Sequence, residues 1–188
     1  MTMTRAAIFA RFPRLETERL RLRRLQVGDA DALLRIFGDD AVTAYYDLPT
    51  LTERVQVLEI INRSAQRFRQ QEGIRWAITR PEENVVLGTL GLSFENAYRG
   101  SVGYELARAH WRQGIMSEAL GAVLAFAFEQ AGLHRVQALV MPGNQASAAL
   151  LHKLGFTDEG ILREYLYFKG AYQDLHCFSL LRHEFTGQ

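Results

Sequence analysis

The chain has 188 residues, 48% of them apolar and 23% charged, which fits one globular domain with a substantial core and predicts no second one. Lys plus Arg (22) nearly cancels Asp plus Glu (21), so no global field favours nucleic acid or an anionic membrane, and recognition must rest on local charge. The lone cysteine, Cys177, excludes an internal disulfide; no apolar run nears the ~20 residues of a membrane span and the start lacks a signal-peptide core, so the expectation is a cytoplasmic protein.

Residues 1–14 read as a loosely attached extension and 15–188 as a single domain. In "ETERLRLRRLQ", Leu20, Leu22 and Leu25 alternate with arginines, the pattern of an edge strand with one wet face. "GDADALLRIF" predicts a short helix capped by Asp29, with Ala32, Leu33, Ile36 and Phe37 on one side. A longer helix over 52–71 carries Val55, Leu58, Ile61, Ala65 and Phe68 at helical spacing. "GIRWAITR" is a strand with Ile74, Trp76 and Ile78 on one face; "VVLGTLGLSF" and "SVGYELA" follow as strands joined in an antiparallel hairpin by the short loop "ENAYRG".

Residues 114–131 are apolar almost all round and predict a helix packed on a sheet, and "HRVQALVM" supplies the strand after it. That strand–helix–strand run is a right-handed crossover, which makes 101–107 and 134–141 parallel neighbours in a sheet that is otherwise antiparallel. "NQASAALLHKL" forms a short helix, and a hairpin turning near 169–172 closes the chain. The class is mixed α/β.

Two stretches carry chemistry. "HWRQGIM" is a glycine-bearing strand-to-helix turn, and a helix start leaves N–H groups without internal partners beside roughly half a positive charge, a ready anion site. Gln113, Gly114, Ile115, Met116 and Ser117 would offer those amides and Arg112 would add charge; alternatively Gly114 only permits a sharp entry into a buried helix. "NQASAALLHKLGF" follows the parallel strand, with Asn144 as a helix cap and Ser147 in the first turn. Two helix starts thus flank the carboxyl ends of one parallel pair, where ligands of such sheets tend to bind.

In order and at this spacing, "GYELARAHWRQGIMSEAL" and "NQASAALLHKLGF" resemble the GNAT superfamily of acyl-CoA-dependent N-acetyltransferases, and within it the ribosomal-protein N-terminal (alanine/serine) acetyltransferase branch. The likeness runs from "LETERLRLR" to "DLHCFSLL". The superfamily's turn is often Q/R-x-x-G-x-G/A; Trp111, Gly114 and Met116 stand there in this chain, closer to the ribosomal branch, which places the expected contacts on the backbone.

The resemblance implies a GNAT-type, mostly antiparallel sheet with a central, splayed parallel pair and helices on both faces. It implies that the pantetheine arm of acetyl-CoA lies in that opening, paired with backbone groups of Leu106, Ala107 and Arg108, with an N–H near Leu106 facing the thioester oxygen. The pyrophosphate would rest on Gln113 to Ser117, Asn144 would orient the site or bind the arm, and Lys153 would reach the phosphates or simply be a solvated lysine. Glu105 is the candidate general base, directly or through water. Many relatives carry a tyrosine where this chain has Leu151, which leaves Ser147 as donor to the departing sulfur.

No metal site is expected from the five scattered histidines. Cys177 reads as packed rather than reactive, and Tyr45, Tyr46 and Trp76 as groove or core residues. The leading expectation is acetyl transfer to a protein N-terminal α-amine by direct attack in a ternary complex, with no nucleic-acid or membrane partner, by a monomer or homodimer. A small-amine acceptor, such as a drug, polyamine or amino acid, and a non-catalytic acyl-CoA sensor are the alternatives.

Overall fold

The alternation of Ile74, Trp76 and Ile78 places those side chains on one buried sheet face, with Ala77 on the other. The structure is a computed structural model describing residues 3–46 and 48–187. Its strands are β1 (Leu15–Glu16), β2 (Arg21–Arg24), β3 (Gly73–Thr79), β4 (Val86–Phe94), β5 (Arg99–Leu106), β6 (Arg135–Val140), β7 (Thr157–Phe168) and β8 (Ala171–Leu181). They form one sheet in the order β1-β2-β3-β4-β5-β6-β8-β7. Only β5 and β6 run parallel; every other neighbouring pair is antiparallel, as the crossover and the two hairpins require.

The helices are α1 (Arg5–Ala10), α2 (Ala30–Phe37), α3 (Asp40–Thr43), α4 (Arg54–Arg69), α5 (Ile115–Ala125) and α6 (Gln145–Lys153). The larger core joins α1, α5 and α6 to the face carrying Trp76, Leu90, Leu92, Val102 and Leu106. The smaller core joins α2 and α4 to Ala77 and Val86 on the other face. Ala119, Leu120, Val123 and Leu124 of α5 are all fully buried, which explains a helix apolar nearly all round; each large one contributes about 1.5–3 kcal/mol of burial. Among the described residues no helix is long and apolar enough to cross a membrane.

Four expectations change. The segment before Arg14 is not loosely attached: Ile8 and Phe9 are buried, Phe9 packs on Phe68 and Phe94 with ring centroids at 5.1 and 5.3 Å, and the Trp76 indole donates to the Pro13 carbonyl at 2.7 Å. β2 is not the edge, because the two residues of β1 pair outside it. Asp29 does not cap α2 with its side chain; its carboxylate accepts from both Arg23 Nη atoms at 2.8 Å and from the Gln26 amide at 2.8 Å, closing the turn before the helix. On α4 the buried stripe is Val57, Ile61 and Phe68, while Val55 is 52% exposed. That rotation turns Ile60, Arg63, Ser64 and Arg67 toward a cavity.

Candidate active site

The parallel pairing of β5 and β6 is short: Arg99, Gly100 and Ser101 face Arg135, Val136 and Gln137, and then the strands part. β5 stays with β4 as far as Leu106, and β6 stays with β8 as far as Val140, so a wedge opens toward their carboxyl ends. The Ala107 amide donates to the Leu87 carbonyl at 2.8 Å. Since antiparallel pairs alternate in hydrogen bonding, Glu105 also bonds toward β4, while the backbone groups of Tyr104 and Leu106 point into the wedge. The Leu106 carbonyl is held there by the Trp111 indole N–H at 2.7 Å.

Both predicted helix starts sit at this opening. Gly114 caps α5 with φ +75°, a conformation that favours glycine, and Arg112 before it also lies at φ +59°. The first internal bond of the helix runs from the Glu118 amide to the Gly114 carbonyl at 3.0 Å, and Gly114 offers no side-chain cap. Ile115 and Met116 bury their side chains, so their amides and that of Ser117 stand at the helix start as donors for an anion. Gln113 folds its side-chain amide back onto the Ala109 carbonyl at 2.9 Å, leaving its backbone as the contributing part.

Sequence reasoning missed how this turn is fixed. Glu118 accepts from the Thr17 hydroxyl at 2.5 Å, from the Arg19 amide at 3.0 Å and from the Arg19 guanidinium at 2.6 Å. Burial works against the charge, but those hydrogen bonds hold the Glu118 carboxyl below its usual range. Arg19 also donates to the Gln113 carbonyl at 3.2 Å, which sets a cation beside the turn.

On the other helix, the Asn144 side chain accepts from the Ser147 amide at 3.1 Å, as predicted for a cap. The Ser147 hydroxyl lies 2.7 Å from the Tyr104 hydroxyl, a bond that spans the wedge from α6 to β5. Tyr104 was also missed: with Leu151 fully buried, the phenol comes from the strand instead of the helix. Burial pushes the Tyr104 phenol up to about 12, against the pull of the Ser147 hydrogen bond, so it stays a neutral donor. The signal was present in the alternation that puts Tyr104 and Leu106 on the α6 face.

The remaining candidates are dispersed. Glu105 lies on the opposite face, its side chain 2% exposed, accepting from Arg75 at 2.8 and 3.1 Å and from the Thr89 hydroxyl. Burial disfavours the Arg75 charge, yet Tyr46 and Glu105 more than offset this and hold its pKa above the ordinary value. Arg108 turns away to pair with Asp39 at 3.0 Å. Lys153 stands exposed in the last turn of α6, about 13 Å along the helix from Asn144. Cys177 is half-buried, and burial together with Glu159 raises its thiol pKa despite Arg135, which disfavours the thiolate. Among the described residues no cluster of His, Cys, Asp and Glu could hold a metal ion.

Under the wedge, on the α4 face, lies a cavity of about 490 Å³. Its floor is the sheet around Gly73, Gly91 and Gly103; α4 and Tyr45 with Tyr46 wall one side, and Tyr165 and Phe168 of β7 wall the other. A side chain at Gly91 would meet Arg75 at 3.2 Å, so glycine there leaves room for the guanidinium on the floor. The tip of the closing hairpin is tied across: Lys169 Nζ donates to the Thr43 carbonyl at 2.8 Å. Tyr45 and Tyr46 therefore line a groove, whereas Trp76 fills the core.

A wedge with backbone donors on one side and a partly open cavity on the other leaves room for a thioester donor to meet an acceptor through the sheet. The family model for the acetyltransferase (GNAT) domain matches residues 19–157. An uncharacterized N-acetyltransferase, YoaA, of Bacillus subtilis (strain 168) is 38% identical over 173 residues, covering 91% of this chain and 98% of that protein. The [ribosomal protein uS5]-alanine N-acetyltransferase of Escherichia coli (strain K12) is 32% identical over 111 residues, 56% of each chain. The crystal structure of Mycobacterium smegmatis RimJ in complex with CoA-disulfide is 27% identical, covers 88% of this chain and 83% of its own, and superposes with a TM-score of 0.78. The chain belongs to the GNAT acetyltransferase family and is an acetyl-CoA-dependent N-acetyltransferase.

Proposed function

We propose that this N-acetyltransferase acts on the α-amine of a protein or peptide N-terminus, by direct attack in a ternary complex. The observation that carries the reading is the through-sheet arrangement: the Tyr104–Ser147 pair at the wedge on one side and a walled cavity reaching Gly103 on the other. The partial match to a ribosomal-protein alanine N-acetyltransferase supports it.

Bound acetyl-CoA supplies the activated acetyl thioester. The amides of Ile115, Met116 and Ser117 bind its pyrophosphate, and the wedge-facing backbone of Tyr104 and Leu106 aligns the arm as an added strand would. The Leu106 N–H faces the oxygen that gains charge as the amine adds. Ser147, held by Tyr104, donates a hydrogen bond to the sulfur as the C–S bond breaks.

The protons balance without a strong acid. The attacking amine brings one surplus proton and the departing sulfur needs one. A phenol near 12 cannot surrender its proton to a thiolate near 8.5, an uphill step of roughly 5 kcal/mol, so the Tyr104–Ser147 pair orients and stabilises while the proton lost by the adding amine passes through solvent to the departing sulfur. An α-amine of pKa about 8 is already about one-tenth neutral near pH 7. With both Glu105 oxygens committed to Arg75 and Thr89, the role assigned here to Glu105 is to hold Arg75 on the cavity floor.

The test is release of free thiol from acetyl-CoA with short peptides, polyamines and free amino acids as acceptors. Peptides acetylated at the α-amine, with the others slower by at least tenfold, are the expected result. A small amine preferred over every peptide would refute the reading, and binding of acetyl-CoA with no turnover on any amine would identify a sensor.

A further inference from the structure

The cavity wall carries three arginines, Arg63, Arg67 and Arg75, and no Asp or Glu among its described lining residues. Arg75 is neutralised from below by Glu105. Arg67 reaches only the Ser93 hydroxyl, at 3.1 Å, and Glu72 at a loose 3.8 Å on the exposed rim. Arg63 has no ion pair or hydrogen bond among the described residues, although Glu59 sits one turn before it on the same helix.

Arg63 and Arg67 stand four residues apart on one face of α4, a like-charge spacing that weakens a helix by a few tenths of a kcal/mol. Both line a cavity whose other walls carry Tyr45, Tyr46, Tyr165 and Phe168 beside aliphatic side chains, and the Arg63 charge there is matched by no described residue. Such a field repels polycations and lowers the pKa of an amine brought into it, raising the neutral fraction that can attack.

The spacing says where the matching anion would lie. Arg67 bonds Ser93 on β4, whereas the acceptor amine must reach the wedge beyond β5. Ser93 pairs with Ser101, five residues before Leu106, so at about 3.4 Å per residue along β5 and about 4.8 Å per strand across it the two points are separated by roughly 18–20 Å. An extended chain advances about 3.3–3.6 Å per residue, so that gap is about five residues. The α-carboxylate of a free amino acid is too close to its own amine to span it.

Resting on the α-amine reading above, we infer that the acceptor is an acidic N-terminus: a peptide with Asp or Glu at its fourth or fifth position, paired with Arg63 and Arg67. The aromatic walls hold the first residue and the two guanidinium groups select the carboxylate.

The test uses the full chain, acetyl-CoA and three hexapeptides identical except at positions four and five, which are Asp-Glu, Asn-Gln or Lys-Lys. The acidic peptide should exceed the neutral one in kcat/KM by about tenfold, with the basic peptide slower still, and added salt should shrink the ratio. In the double variant Arg63→Ala, Arg67→Ala the acidic-to-neutral ratio should fall toward one, and Arg63→Glu, Arg67→Glu should invert it. Because each ratio is taken within one protein, a general loss of folding does not move it. Equal rates on all three peptides, or a ratio unaltered in the double variant, would overturn the inference and leave the N-terminal reading standing. Acetylation of small amines with no peptide acetylated would overturn both.

Discussion

The Tyr104–Ser147 bond makes the sharpest prediction, because two hydroxyls 2.7 Å apart should act as one unit. Tyr104→Phe removes a hydrogen bond worth about 1 kcal/mol of stability, which for a chain of this size lowers Tm by about 2–4 °C. It should also lower kcat about tenfold, since Ser147 loses the partner that aims it. Ser147→Ala removes the donor itself and should cost about a hundredfold, in the lower range for loss of a donor to a developing anion. The double variant should then be no slower than Ser147→Ala, as an unanchored phenol has nothing left to orient.

The same phenol carries a pH signature. Its pKa rises from 10.0 unfolded to about 12 folded, so its stabilising contribution is complete below pH 10 and disappears as pH climbs through 12. The two-unit shift corresponds to roughly 2–3 kcal/mol over that window, a slope that Tyr104→Phe should lack. Thiol-release kinetics with urea melts at pH 9 to 12 would read both effects. Independent, multiplying losses of kcat, or an unchanged alkaline slope in Tyr104→Phe, would refute the coupled pair.

Two further outcomes follow from the ion pairs. Glu105→Gln leaves Arg75 buried without its carboxylate and should cost about 2–3 kcal/mol by urea denaturation, somewhat under the full penalty for a broken buried pair because Arg75 remains 23% exposed. Its effect on turnover should be the same at low and high pH; a loss growing toward low pH would make Glu105 the base after all. Glu118, whose folded pKa lies below its ordinary 4.5, stabilises the protein above that value and loses the contribution as pH falls through the depressed pKa. Glu118→Gln should therefore be less stable than the parent at pH 7 and converge with it in acid, with weaker acetyl-CoA binding because the Thr17–Arg19 segment no longer pins the α5 turn.

Much of the fold was legible because its signals are local. The all-round apolar run at 115–125 needs a sheet beneath it, and that forces the crossover pairing β5 with β6. The backbone half of the site was legible for the same reason: Gly114 and Asn144 are turn and cap residues whose conformations follow from their own chemistry. What escaped was long-range. Thr17 and Arg19 reach Glu118 across about a hundred positions, a contact that no periodicity reports. Tyr104 meets Ser147 across 43 positions, and Glu105 meets Arg75 across 30. Neighbouring strand residues point to opposite faces, so the alternation separated Tyr104 from Glu105 without saying which face held the wedge-spanning bond. Val55 and Val57 show the same limit on α4, where either could begin an apolar stripe and only the packing partner decides.

Acetyl-CoA is expected to bind along the wedge-facing edge of β5 and on the first turn of α5. Amide hydrogen exchange, followed residue by residue during titration with acetyl-CoA, should show new protection at Leu106 and at Ile115, Met116 and Ser117, with little change at the far end of α6 around Lys153. Saturable binding that leaves those four amides exchanging as freely as before would contradict it.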